Sequence, residues 1–191
     1  MLIGVISDTH GDLSRVELCS PYLKGVELLL HAGDLYEDAH KIGEALGIKA
    51  LGVTGNCDYM VKGPSEEMLS IGSRRIYLTH GHLYKVKKDL NPLVQRSKVL
   101  GVDVTIFGHT HMPTVFRRDG VLFVNPGSLH SPRQMLAPSM AVLDVGRHQV
   151  RARVISLVKC VPPNSMSSHL KGRISLDQGV VRREPPMERK R

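Results

Sequence analysis

Gly108-His109-Thr110-His111, placed directly after the apolar run Val104-Thr105-Ile106-Phe107, is the stretch whose reading decides the fold. A short run of apolar and β-branched residues closed by glycine reads as a buried strand. Two histidines at i and i+2 just past a strand end can aim two imidazoles into one cleft, and imidazole is a common metal ligand. Taken alone, such a pair is more often a surface or core pair than a metal site.

The arrangement recurs along the chain. Asp8-Thr9-His10 follows the apolar residues 2 to 6, Gly33-Asp34 follows Leu28-Leu29-Leu30, Gly55-Asn56 follows residues 51 to 54, and His80-Gly81 follows Ile76-Tyr77-Leu78-Thr79. Ligands of open α/β sheets collect outside the carboxyl ends of the strands. Five such ends, each bearing Asp, Asn or His, point to one shared site.

In this order, D-x-H, G-D, G-N-x-D, H-G-H and G-H-T-H resemble the motifs of the calcineurin-like metallophosphoesterases. The short length and the G-N-C-D form are most similar to the small bacterial and archaeal phosphodiesterases of the YfcE type. The resemblance covers about residues 1 to 157. It implies an α/β fold, a four-layer α/β/β/α sandwich, with a dinuclear metal site. It further implies that Asp8, His10 and His111 complete one metal and Asn56, His80 and His109 the other, with Asp34 bridging the two.

Those residue types suit that task. Two cations about 3.5–4 Å apart repel one another unless an anion stands between them, and a carboxylate can touch both. Mixed nitrogen and oxygen ligands accept Mn²⁺, Fe, Zn²⁺, Ni²⁺ or Mg²⁺; the resemblance favours Mn²⁺. The implied reaction is hydrolysis of a small phosphodiester by a metal-bridging water, with Asp34, Asn56 and His80 as catalytic residues. The centre would also neutralise charge developing on the phosphoryl oxygens.

Cys57 departs from the pattern. Many larger relatives carry His after the Asn, where it helps protonate the leaving group, and a thiol is a poor substitute. Cys57 is then either a participant or a small loop residue. His82 is a candidate replacement, or a hydrogen-bonding partner of a ligand.

At 191 residues the chain suits one domain with a sizeable core. Its 41% hydrophobic content is ordinary for a globular protein. No apolar run approaches the roughly 18 residues of a spanning helix, so no membrane role is expected. The first apolar run is short and Asp8 and His10 follow at once, which does not read as a signal peptide. Cys19, Cys57 and Cys160 form no C-x-x-C and leave one unpaired, which suggests a reducing, cytoplasmic setting. The net charge is +8, and residues 158–191 hold eight Lys or Arg against three Asp or Glu. The excess over the remainder is small. Aromatic content of 4% speaks against a base-stacking platform, although a nucleic-acid partner, and with it a nuclease, stays open. A homo-oligomer is equally open. The rival from another class is an interaction scaffold on the same fold, like the retromer subunit; the full ligand set favours an enzyme.

The remaining pattern predicts helices over residues 12–23, 37–46 (ended by Gly47) and 90–100 (Pro92 in the first turn). It predicts hairpins over 67–79, 115–124 and 140–157. His31 reads as a hydrogen-bonded core histidine. Lys85, Lys87 and Lys88 read as a solvated charge run, with a phosphate-attracting rim as the alternative. Residues 59–64 form a polar loop placed to shape access. Residues 158–191 read as a basic C-terminal extension, partly ordered, in which 174–181 could add a strand.

Overall fold

The apolar runs that precede the glycine-punctuated loops are all strands, and their register sets where the loops meet. In the computed structural model, which describes residues 1–133 and 137–157, one sheet has the order β10-β9-β1-β2-β3. Its members are β1 (Leu2–Ile6), β2 (Leu28–His31), β3 (Ala50–Gly52), β9 (Ser139–Val145) and β10 (Val150–Ser156). The second sheet has the order β4-β5-β6-β8-β7, from β4 (Glu66–Ile71), β5 (Arg74–Thr79), β6 (Val104–Ile106), β7 (Thr114–Arg118) and β8 (Val121–Asn125). β1, β2 and β3 are parallel, with Ile3 opposite Leu28 and Leu30 opposite Leu51. β5, β6 and β8 are parallel too. The expected extension, with Cys160 and the strand at 174–181, lies outside the described residues.

Strand side chains alternate, so a strand buried on both faces feeds two cores. Ile3 and Val5 point between the sheets and pack with Leu30, Ile76, Leu78, Val104 and Ile106. Ile6 and Leu29 face the other way, onto Val16, Cys19 and Ile42. On the far sheet Tyr77, Phe107 and Phe123 turn outward onto Leu93 and Val94. The result is the expected sequence of layers: helix, sheet, sheet, helix. α1 (Tyr36–Leu46) covers one sheet and α2 (Asn91–Leu100) the other, and each ends at a glycine in the left-handed region, Gly47 and Gly101.

The hairpins form as read, including the Asp119-Gly120 turn, whose two residues both have positive φ, as a tight right-twisting hairpin requires. The helix expected over 12–23 does not form. Residues Val16–Tyr22 make only a 3-10 segment, and Pro21 inside it has no N–H with which to extend an α-helix. Asp12 does not cap a helix either; its Oδ1 accepts the Ser14 N–H at 2.9 Å in a local turn. Val16, Cys19 and Leu23 are nevertheless buried, as the apolar spacing of a helical face would place them. Among the described residues no helix is long and apolar enough to cross a membrane.

Candidate metal centre

Because the parallel strands of both sheets end on the same side, their loops converge. The His109 N–H donates to Asp8 Oδ2 at 3.1 Å, joining the β6 loop of one sheet to the β1 loop of the other. The approach is close: a Cβ on Gly108 would fall 2.1 Å from Ser7 Oγ and 2.8 Å from the Ala32 carbonyl, so that position needs glycine. Asp8, His10, Asp34, His109 and His111 all have φ between 51° and 67°. They are five of the eight described non-glycine residues with positive φ, so backbone strain is concentrated here, as at many functional sites.

The surrounding bonds hold those conformations. Asp8 Oδ2 also accepts the Ser7 hydroxyl at 2.5 Å, and the Asp8 carbonyl accepts Ser128 Oγ–H at 2.8 Å. Thr9 donates to Asp38 Oδ2 at 2.6 Å, and the same carboxylate accepts the Gly11 N–H at 3.0 Å, which pins the loop carrying His10 to the first turn of α1. Asp34 Oδ1 accepts the Cys57 N–H at 2.9 Å. Asp58 ties the next loop down, since its two oxygens accept the N–H groups of Tyr36 at 2.7 Å and Gly55 at 2.6 Å.

Six of the seven sequence-predicted ligands fall into two groups with their ligand atoms mutually within 4.8 Å: Asp8, His10 and His111, and Asp34, His80 and His109. Asn56 joins the second group, its Oδ1 3.2 Å from His80 Nε2. A third triplet, His10, Asp34 and Cys57, sits between them.

The donor set fits cations. His80 Nδ1 lies 2.7 Å from the Ala32 carbonyl and His111 Nδ1 lies 2.7 Å from the Ser131 carbonyl. A carbonyl only accepts, so both rings carry their proton on Nδ1 and turn Nε2 inward, the arrangement usual for metal-bound histidine. His80 Nε2 then faces Asp34 Oδ2 at 3.4 Å as well as Asn56 Oδ1. His111 Nε2 faces Asp8 Oδ1 at 3.1 Å and His10 Nε2 at 3.4 Å. Nε2 lone pairs facing carboxylate and amide oxygens call for positive charge between them. Asp8 Oδ1 and His109 Nδ1 are both buried without a hydrogen bond, which costs free energy unless another partner is supplied.

The electrostatics agree. Burial opposes charge on His80 and His111, but the carboxylates of Asp34 and Asp8 outweigh it and hold both above the ordinary imidazole range. Burial also opposes charge on Asp34, yet His80 and the Cys57 N–H keep it far below the usual carboxylate range. Burial, with His80 and Lys87, pushes His109 down to about 4. It likewise lowers His10 and His82. Cys57 is pushed up to about 11, by burial first and then by Asp34. The His82 ring lies beside those of His80 and His109 at centroid distances of 5.3 and 6.2 Å, tilted and edge-on respectively.

His31 is the core histidine expected from sequence. It is fully buried; its Nδ1 accepts the Gly33 N–H at 3.2 Å and its Nε2 meets Thr9 Oγ1 at 3.1 Å. Burial depresses it to about 4, against 6.5 for an exposed imidazole. The unfolded chain therefore binds the extra proton between those values. The stabilising effect is complete above pH 6.5 and is lost as pH falls toward 4. Between pH 7 and 5 this residue alone should cost about 2 kcal/mol. Urea unfolding of chelator-treated protein should show that loss, and His31→Gln should flatten the slope by the same amount. An unchanged slope would contradict a neutral buried His31.

Sequence reading missed part of the rim. The cavity over the centre, about 440 Å³, is lined by His130, Ser131 and Arg133 besides Lys87, His10, Asp34, Asn56, Cys57 and His111. His130 is oriented by Asp12, with Nδ1 2.9 Å from Oδ2. The signal for that side was the Asn125-Pro126-Gly127-Ser128 turn, whose serine hydroxyl caps the N–H groups of His130 at 3.2 Å and Ser131 at 2.9 Å.

The sequence profile of the calcineurin-like phosphoesterase superfamily domain matches residues 1–148. The probable metallophosphoesterase YsnB of Bacillus subtilis is 36% identical over 145 residues, 75% of this chain and 83% of that protein. The phosphodiesterase YfcE of Escherichia coli is 30% identical over 170 residues, covering 75% and 88%. Among solved structures, a predicted phosphoesterase from Streptococcus pneumoniae superposes with a TM-score of 0.69 at 29% identity, over 81% of this chain and 88% of that one. Vps29 of Entamoeba histolytica, solved with zinc, shares the fold with a TM-score of 0.66 at 24% identity, over 83% and 100%. With its sequence matched over residues 1–148, from the first strand through β9, and its strand-end loops converging on one centre, the chain belongs to the calcineurin-like phosphoesterase superfamily.

Proposed function

We infer that this metal-dependent phosphoesterase hydrolyses phosphodiesters at a dinuclear centre. The reading rests on one observation above the rest: the inward Nε2 atoms of His80 and His111 converge with other ligand-type atoms, those of Asp34 and Asn56 on one side and of Asp8 and His10 on the other. Asp8, His10 and His111 would hold one cation and Asn56, His80 and His109 the second, with the Asp34 carboxylate shared. Two divalent cations supply, when bound, an acidified water as nucleophile and neutralisation of the phosphoryl oxygens. The chain's own part is positional. Ser7, Cys57, Ala32 and Ser131 fix the orientation of Asp8, Asp34, His80 and His111, so the ligands do not reorganise during the reaction. The resemblance to YfcE-type enzymes supports a small diester as substrate and Mn²⁺ as the first metal to try.

Vps29-like scaffolding is the second reading, supported by the shared fold. Chelator-stripped protein reloaded with Mn²⁺, Fe²⁺, Zn²⁺, Ni²⁺ or Mg²⁺, with metal content measured, should bind two equivalents and release nitrophenolate from bis(4-nitrophenyl) phosphate faster than from the monoester. Two bound equivalents with no turnover on either ester would favour the scaffold. No metal uptake would overturn both the centre and the reaction.

A further inference from the structure

Two basic side chains, Lys87 and Arg133, line the cavity besides the ligands, and the reaction as read does not use them. Among the described residues neither forms an ion pair. Both are attached to fixed parts of the site. The Arg133 N–H donates to the His111 carbonyl at 3.4 Å, and two residues earlier the Ser131 carbonyl accepts from the His111 ring. Lys87 follows Val86, which is buried against Gly81 directly after His80. Each cation is close enough to act on a ligand: Lys87 helps depress His109, and Arg133 opposes the proton on His111.

Charge balance says what they are for. Two divalent cations against the carboxylates of Asp8 and Asp34 leave the centre net positive, which is already enough to answer the single negative charge of a simple diester. Lys87 and Arg133 add positive charge that such a substrate leaves unanswered. Arg is suited to bidentate phosphate recognition and Lys to phosphate as a point charge. Lys88, the next residue, is also exposed but does not line the cavity.

We propose that Lys87 and Arg133 form an anion subsite that selects phosphodiesters carrying a second phosphate group. This rests on the phosphodiesterase reading of the same centre. The test compares thymidine 5′-(4-nitrophenyl phosphate) with its 3′-phosphorylated form, both read by nitrophenolate release with Mn²⁺-loaded protein. Wild type should prefer the phosphorylated ester in kcat/KM, and Lys87→Gln and Arg133→Gln should each cut that preference about tenfold, as expected for one charge-assisted contact. Lys88→Gln should leave the ratio as it is. Titration calorimetry with thymidine 3′,5′-bisphosphate against thymidine 5′-phosphate gives the same comparison without chemistry. Equal hydrolysis of both esters by wild type, or a ratio that neither Gln variant changes, would overturn the subsite and leave the reaction standing. Preferential binding of the bisphosphate through Lys87 and Arg133, with neither ester cleaved, would uphold the subsite and overturn the reaction.

Discussion

Replacing Asp34 with Asn should reduce kcat/KM on an aryl phosphodiester by about 10²–10³-fold with Mn²⁺ present, the scale on which one group stabilising a transition state counts. The substitution is nearly isosteric. An Asn Oδ1 can still accept the Cys57 N–H that Asp34 Oδ1 accepts at 2.9 Å, so the loop carrying Asn56 should stay in place. What is lost is the negative charge that faces His80 Nε2 at 3.4 Å and would be shared between two cations. Metal content should fall below two equivalents, while the urea midpoint of the metal-free protein changes little. Near-full hydrolysis by Asp34→Asn under these conditions would refute the bridging role. Asp34→Ala is a poorer test, because it leaves the Cys57 N–H without its acceptor and mixes structural with chemical loss.

The strand ends were legible because the same local rule operates at each of them. A strand buried on both faces gives an unbroken apolar run, as in residues 2–6 and 104–107, and glycine is needed where loops from two sheets approach within contact, as at Gly108. Asp34, Asn56 and His109 directly follow such glycines and Asp8 and His80 stand just past strand ends, so the pattern pointed to this group, while the family resemblance assigned each its place as a ligand. The 12–23 segment failed for a local reason: apolar spacing placed Val16 and Cys19 inward, but Pro21 and the Asp12 turn decided the helix type. His130, Arg133 and the Ser128 cap were not legible, because they reach the site from a loop whose sequence shows only a tight turn. Their position depends on long-range bonds to Asp8, Asp12 and His111, separated from them by 20 to 120 residues. Lys87 was legible as a charge, but whether it belonged to a solvated run or to the rim depended on how Val86 packs on Gly81.

Aryl phosphodiesters should be hydrolysed far faster than alkyl ones, by about the 10²–10⁴-fold that general acid help is typically worth. The reason lies in the loop after Asn56. Cys57 lines the cavity where many larger relatives have histidine, and burial together with Asp34 pushes its thiol up to about 11, far from the operating pH at which a general acid is most effective. Asp58 is no substitute, because both of its oxygens are engaged by backbone N–H groups. His82 lies against His80 and His109 but does not line the cavity. A nitrophenolate leaves without a proton, whereas an alkoxide needs one. The measurement is kcat/KM across a series of leaving groups for wild type, Cys57→His and Cys57→Ala. Cys57→His should narrow the aryl–alkyl gap, since imidazole can donate a proton near neutral pH. Cys57→Ala should change aryl turnover by less than about threefold, because a neutral thiol has no part in that reaction. A flat dependence in the wild type would mean that another acid serves, and His130, which faces the cavity with Nδ1 held by Asp12, would be the residue to replace next. A large loss on the aryl substrate in Cys57→Ala would make the thiol a participant, and the account of this loop as lacking a proton donor would fall with it.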